Sequence, residues 1–158
     1  MVLTILSALL FYLAFPNKIF LYGFWPAAWF FSVPLFFVFE RKSFFPRLGL
    51  AVVFALAAHS AALSWFISYN GVGYWLLVGI LSLQVLIFAV FYPMPNIPFA
   101  LRIFYVPVAW VASEYLRTLI LGGASVTLGH SQAFNLPAVQ FASVLGASGL
   151  SFVLILFG

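Results

Sequence analysis

The sequence predicts an all-α integral membrane protein, a bundle of about six transmembrane helices. Three observations carry that expectation. Hydrophobic residues make up 66% of the 158 positions, and only 5% are charged. A soluble domain carries about 25% charged residues, so this chain cannot cover a water-facing surface. Mean hydropathy is +1.23. The apolar residues also fall into six runs separated by polar or proline-containing breaks. A membrane span needs about 20 residues to cross a hydrocarbon core of about 30 Å, which leaves no room for a sizeable soluble domain.

The runs follow in order. Val2–Phe15 is short for a span and is stopped by Pro16-Asn17-Lys18. It lacks the basic leader and small-residue cleavage site of a secretory signal. Phe24–Phe39 opens on Trp25-Pro26, a proline tolerated at a helix start and a tryptophan suited to the membrane interface. Glu40-Arg41-Lys42 stops it, and Arg47 closes that loop. Leu48–Tyr69 carries His59 near its centre, and Asn70-Gly71-Val72-Gly73 makes a tight turn. Tyr74–Tyr92 is ended by Pro93, Pro95 and Pro98. Ile103–Leu121 contains Glu114 and Arg117, and a longer polar link, Gly122–Pro137, leads into Ala138–Phe157. Basic residues gather on cytoplasmic loops, so Arg41, Lys42, Arg47 and Arg102 place the N-terminus inside. The 122–137 link then faces outward.

Composition excludes several kinds of chemistry. The net charge of +4 comes from few residues near span borders and is no nucleic-acid signal. There is no cysteine, hence no thiol nucleophile, disulfide or thiolate metal site. No phosphate loop and no His-Glu-x-x-His zinc motif is present, so no cofactor and no metal is expected. His130-Ser131 are adjacent, which rarely places a nucleophile and base correctly, and no aspartate exists to complete a triad.

What remains is the Glu114–Arg117 pair. Trp110, Glu114, Arg117 and Leu121 share one helical face. Charged groups on that face must look into the bundle or a polar cavity, because lipid does not tolerate them. One reading makes Arg117 the binder of an anionic group such as a phosphate, oriented by Glu114. The other makes the two a mutually satisfied packing pair. His59 reads first as a neutral donor bonded to a neighbouring helix, with a proton relay or metal ligand as the alternative. Gly122, Gly129, His130, Ser131 and Gln132, on the link beyond Arg117, join Glu114 and Arg117 as lipid- or substrate-binding candidates. None of these residues is expected to be catalytic.

A series of short motifs resembles the membrane domain of apolipoprotein N-acyltransferase. It runs Leu13-Ala14-Phe15-Pro16, Trp25-Pro26-Ala27, Leu63-Ser64-Trp65-Phe66, Pro107-Val108-Ala109-Trp110, Glu114-Tyr115-Leu116-Arg117, Leu128-Gly129-His130-Ser131-Gln132 and Leu145-Gly146-x-x-Gly149-Leu150-Ser151-Phe152. The order and spacing of the pieces, rather than any one of them, carry the resemblance. Two departures stand out. Gly122-Gly123-Ala124-Ser125 occupies the stretch where the family has Gly-Phe-Pro-Trp, and His130 replaces a tyrosine.

The resemblance implies a bacterial inner-membrane, multi-pass enzyme that moves an acyl chain from a phospholipid to the N-terminal diacylglyceryl-cysteine amine of lipoproteins. It also implies a nitrilase-like catalytic domain with a Glu-Lys-Cys triad, expected beyond residue 158, so this chain alone is expected to be inactive. Its partners would be membrane phospholipid and, through the parent enzyme, diacylglyceryl apolipoprotein. Two alternatives stay open: a non-enzymatic membrane anchor for a separate catalytic partner such as a polyprenol-phosphate mannosyltransferase, and a small transporter.

Overall fold

The computed structural model describes residues 1–92, 98–121 and 126–158. The described residues form six α-helices and no strand: α1 (Val2–Ala14), α2 (Ser32–Glu40), α3 (Phe44–Ala62), α4 (Gly71–Phe91), α5 (Phe99–Ile120) and α6 (Leu136–Phe157). Short 3₁₀ turns lie at Trp25–Trp29, Phe66–Ser68 and Leu128–Gln132. The all-α membrane architecture expected from composition is the one observed. Helices α3, α4 and α6 are both long and apolar enough to cross a bilayer. α1 and the 25–40 segment are apolar but shorter, and α5 has the length while carrying Arg102, Glu114 and Arg117.

Local chemistry sets the helix ends. Phe15 is extended because it precedes Pro16, and this stops α1. The Asn17 side chain then builds the turn: its amide donates to the Phe15 carbonyl at 2.8 Å, and its Oδ1 accepts from the amides of Ile19 and Phe20. The run Phe24–Phe39 is not one helix. It divides into the 25–29 turn and α2, with Pro34 placed in the first turn of α2 where its missing N–H removes no bond. The glycines after Asn70 are the first turn of α4 rather than a loop, and Asn70 Oδ1 caps them by accepting from the Gly73 amide at 2.9 Å.

Arg47, expected in a loop, lies inside α3 and is buried. Its guanidinium sits 5.5 Å from the Tyr92 ring, which shelters the stem and offers a cation–π face. Arg102 pairs with Glu40 at 2.6 Å at the same end of the bundle. The opposite end carries the 15–24 loop, the 63–70 turn and the 126–135 link, where the Tyr22 and Phe134 rings meet at 4.8 Å.

Between the ends, α3 packs on α1 and α4, and α5 packs on α4 and α6. Ala51, Ala55 and Ala58 form a fully buried stripe on α3. In lipid, apolar burial drives nothing, so such small residues serve by letting backbones approach. Aromatic rings fill the centre: Phe31 and Phe88 each meet Trp110 edge-on, at 5.7 Å and 5.0 Å. The Ser7 hydroxyl donates to the Phe31 carbonyl across the α1–α2 contact.

The last helix is interrupted. Gly146 has φ 72° and ψ 176°, a conformation open essentially to glycine alone, and it divides α6 into two pieces. Gly146 is thus a backbone break within the Gly146-x-x-Gly149 motif.

Candidate functional site

A cavity of about 490 Å³ lies among α1, α3, α4, α5 and the start of the 126–135 link. Its walls are mostly apolar: Phe11 from α1 and Phe15 just beyond it, Leu77, Leu81 and Val85 from α4, Leu121 just beyond α5, and Leu128 from the link. Among the described residues, four polar side chains converge on it. They are His59 from α3, Gln84 from α4, and Glu114 and Arg117 from α5. All four are buried. Size, apolar walls and a few convergent polar groups are the features of a small-molecule pocket.

Glu114 and Arg117 do share one helical face and do look inward, as their spacing requires. Their hydrogen bonds nevertheless differ from those expected. Glu114 Oε1 accepts from the Trp110 indole at 3.0 Å and from the Leu128 amide at 2.7 Å. Its Oε2 has no hydrogen-bond partner among the described residues. Arg117 donates through Nη2 to the Val126 carbonyl at 2.6 Å. Each charged side chain therefore grips the backbone of the returning link. Glu114 fastens Leu128, and Arg117 fastens Val126. The close ion pair among the described residues is Arg102–Glu40, not Glu114–Arg117.

At His59, Nδ1 has no hydrogen-bond partner among the described residues. The ring lines the cavity and packs edge-on against Phe11 at 5.6 Å. Gln84 was not singled out from the sequence at all. The available signal was a lone amide within the apolar run of α4.

The link residues part company with the cavity. Gly129 is buried against α6: its amide donates to the Ser151 hydroxyl at 2.9 Å, and a Cβ there would collide with the Ala147 carbonyl. Gln132 is a structural clasp. Its amide donates to the Trp25 carbonyl and the Ser131 hydroxyl, both at 3.1 Å, and its Oε1 accepts from the Trp29 indole and the Asn135 amide. His130 is exposed, and its Nδ1 accepts from the Thr127 amide at 3.0 Å to cap the turn. That nitrogen is thereby engaged away from Ser131, whose hydroxyl accepts from Gln132. No Ser–His dyad forms. Gly122, and with it Ala124 and Ser125, lies outside the described residues. No cluster of metal-ligating side chains exists among the described residues.

Comparison with known proteins gives this arrangement a family. The family model described as the apolipoprotein N-acyltransferase N-terminal domain matches residues 7–158. The chain is 31% identical over 167 residues to an apolipoprotein N-acyltransferase of Geobacter metallireducens, covering 98% of this chain and 31% of that protein. It is 31% identical over 172 residues to apolipoprotein N-acyltransferase 1 of Treponema denticola, covering 99% of this chain and 29% of that protein. A Wigglesworthia glossinidia brevipalpis apolipoprotein N-acyltransferase is 39% identical over 84 residues, 51% of this chain. The chain thus spans about a third of the length of the first two curated relatives. No solved structure matches it. With the family match covering the cavity, its polar groups and the 126–135 link beside it, the chain belongs to the apolipoprotein N-acyltransferase N-terminal domain family.

Proposed function

We propose that these residues act as the membrane domain of an apolipoprotein N-acyltransferase. In this reading the parent enzyme moves an acyl chain from a phospholipid to the N-terminal diacylglyceryl-cysteine amine of a lipoprotein. The membrane domain anchors it in the bacterial inner membrane as a multi-pass bundle and receives phospholipid. The N-terminus faces the cytoplasm, a choice supported by the gathering of Arg47, Arg102 and their neighbours at one end. The 158 residues contain no cysteine, so they cannot form a cysteine thioester and do not catalyse alone.

The observation that carries this reading is the placement of Arg117 on an apolar cavity within the domain matched by the family. A buried guanidinium beside apolar walls suits an amphiphile with an anionic group.

The test is a chimaera. Residues 1–158 replace the aligned segment of the Geobacter metallireducens enzyme, and N-acylation of a diacylglyceryl lipoprotein is followed by mass. The chimaera is expected to acylate, the 158-residue chain alone to do nothing, and Arg117→Ala in the chimaera to lower the rate at least tenfold. An inactive chimaera that inserts and folds normally overturns the assignment. So does acylation by the isolated chain.

A further inference from the structure

The cavity has a direction. At one end its wall residues, Trp65 and Val126, are more than half exposed. At the other it ends on Val85 and the Trp110 ring, both 1% exposed. Along α5 the wall runs from Leu121 to Trp110, about 16 Å at 1.5 Å per residue. One leaflet of a bilayer core is about 15 Å deep. A blind, mostly apolar slot as deep as a leaflet matches an extended alkyl chain better than it matches a compact solute. The charge pattern adds a head. Arg117 lies nearer the open end than Trp110, and Glu114 directs Oε1 to Trp110 and Leu128.

We infer that the cavity holds one alkyl chain of an anionic amphiphile, threaded along α5 from the Leu121 level to the Trp110 ring, with its anionic group on the Arg117 side. The inference rests on the phospholipid reading given above and adds which part of the lipid enters, and how deep. Leu81, midway along the α4 wall, is then a residue that sets the bore of the slot.

The experiment uses Trp110 as the reporter, because bulk lipid cannot touch a ring this buried. In a chain whose other tryptophans, Trp25, Trp29, Trp65 and Trp75, are changed to Phe, Trp110 emission is recorded in phosphatidylcholine vesicles doped with phosphatidylglycerol brominated in mid-chain. Contact quenching by at least half is expected, with Leu81→Phe reversing most of it. Arg117→Gln should weaken quenching by the brominated phosphatidylglycerol severalfold. Brominated diacylglycerol, which lacks the anionic group, should quench weakly and show no dependence on Arg117.

Unchanged Trp110 emission overturns the inference when a chain retaining only Trp65 is quenched by the same vesicles. Quenching that Leu81→Phe leaves untouched also overturns it. Equal quenching by the neutral diacylglycerol removes the anionic head and reassigns the slot to a neutral glyceride.

Should the four-fold Phe variant misfold, the unaltered chain is photo-cross-linked with phosphatidylglycerol bearing a diazirine in mid-chain, and adducts are mapped. Adducts at 81–85 and 110–117 support the slot. Adducts confined to exposed positions such as Leu76 and Leu83 overturn it. Quenching with an inactive chimaera would leave the slot standing and remove the acyltransferase reading. The reverse pair of results would do the opposite.

Discussion

Glu114 Oε1 and the Leu128 amide are joined by a 2.7 Å hydrogen bond that spans fourteen positions of sequence. The same oxygen accepts the Trp110 indole at 3.0 Å. One buried carboxylate thus fixes both a ring at the closed end of the cavity and the backbone of the link above it. A charge-assisted bond to a backbone amide is roughly twice as strong as a neutral one, and its loss leaves a buried donor unmet.

Glu114→Ala should therefore cost about 2–6 kcal/mol, since two buried donors lose their acceptor at about 1–3 kcal/mol each. Glu114→Gln keeps an oxygen at Oε1 and should cost well under half as much. Thermal unfolding of the detergent-solubilised protein, followed by circular dichroism, distinguishes the two. Equal losses for both variants would show that the charge itself, rather than the oxygen at Oε1, holds the link.

Gln132 offers a second measurement on the same link. Its side chain donates to the Trp25 carbonyl and accepts from Trp29 and Asn135, tying the link to the 25–29 turn. Gln132→Leu keeps the volume and strands these partners, so a loss of about 1–3 kcal/mol is expected. His130→Ala removes only an exposed capping contact and should cost about 1 kcal/mol or less. Ser131→Ala should leave lipoprotein acylation by the chimaera near its original rate, because Ser131 and His130 form no dyad. A collapse of activity in a folded Ser131→Ala chimaera would reopen nucleophilic chemistry at that hydroxyl.

The ends of the bundle permit a contrasting prediction. Arg102 and Glu40 form a 2.6 Å ion pair, with the Glu40 side chain half exposed. Pairs of this kind contribute about 0–1 kcal/mol once solvent screening is counted. Arg102→Gln is expected to lower the melting temperature by no more than a few degrees, and a double-mutant cycle with Glu40→Gln to return a coupling below about 1 kcal/mol. A coupling severalfold larger would mean the pair is shielded in the membrane interface.

Much of this fold was legible because its signals are local. Composition gave the membrane class, and Pro16 marked a helix stop through its own backbone preference, whereas Asn70 read as part of a turn and proved to cap α4. Glu114 and Arg117 were legible as inward-facing because a charge facing lipid is prohibitive whatever the neighbours. The partners of those charges were not legible. Periodicity places a residue on a face of its own helix, but only packing decides which other helix supplies the opposite wall. Hence Gln84 and His59 joined the cavity unannounced, and Gln132 proved to be a clasp. The division of the 24–39 run and the break at Gly146 were missed for a related reason. Apolar residues serve equally in one helix or two, and Gly-x-x-Gly reads as a packing motif until the backbone angles are known.

Two glycines separate steric crowding from backbone strain, and substituting each by alanine should reveal which operates. At Gly129 the backbone angles are ordinary, but an added Cβ meets the Ala147 carbonyl. A helix backbone cannot yield as a flexible side chain can, so the 128–132 turn must lift from α6. That movement breaks the Gly129–Ser151 bond and pulls Leu128 from Glu114. At Gly146 nothing lies within 4 Å of the Cβ position, yet φ is 72° with ψ near 176°. There the cost is conformational, about 1–3 kcal/mol for a non-glycine residue. Gly129→Ala should thus give poor yields of folded protein and loss of chain binding in the cavity. Gly146→Ala should fold with a lowered melting temperature and an intact cavity. Gly146→Asn should offer no rescue, because asparagine tolerates the left-handed helical region but not this extended one. If Gly129→Ala instead melted like the parent protein, the close approach of the link to Ala147 would not exist in the folded chain. The grip of Glu114 on the link would then have to be weaker than its geometry implies.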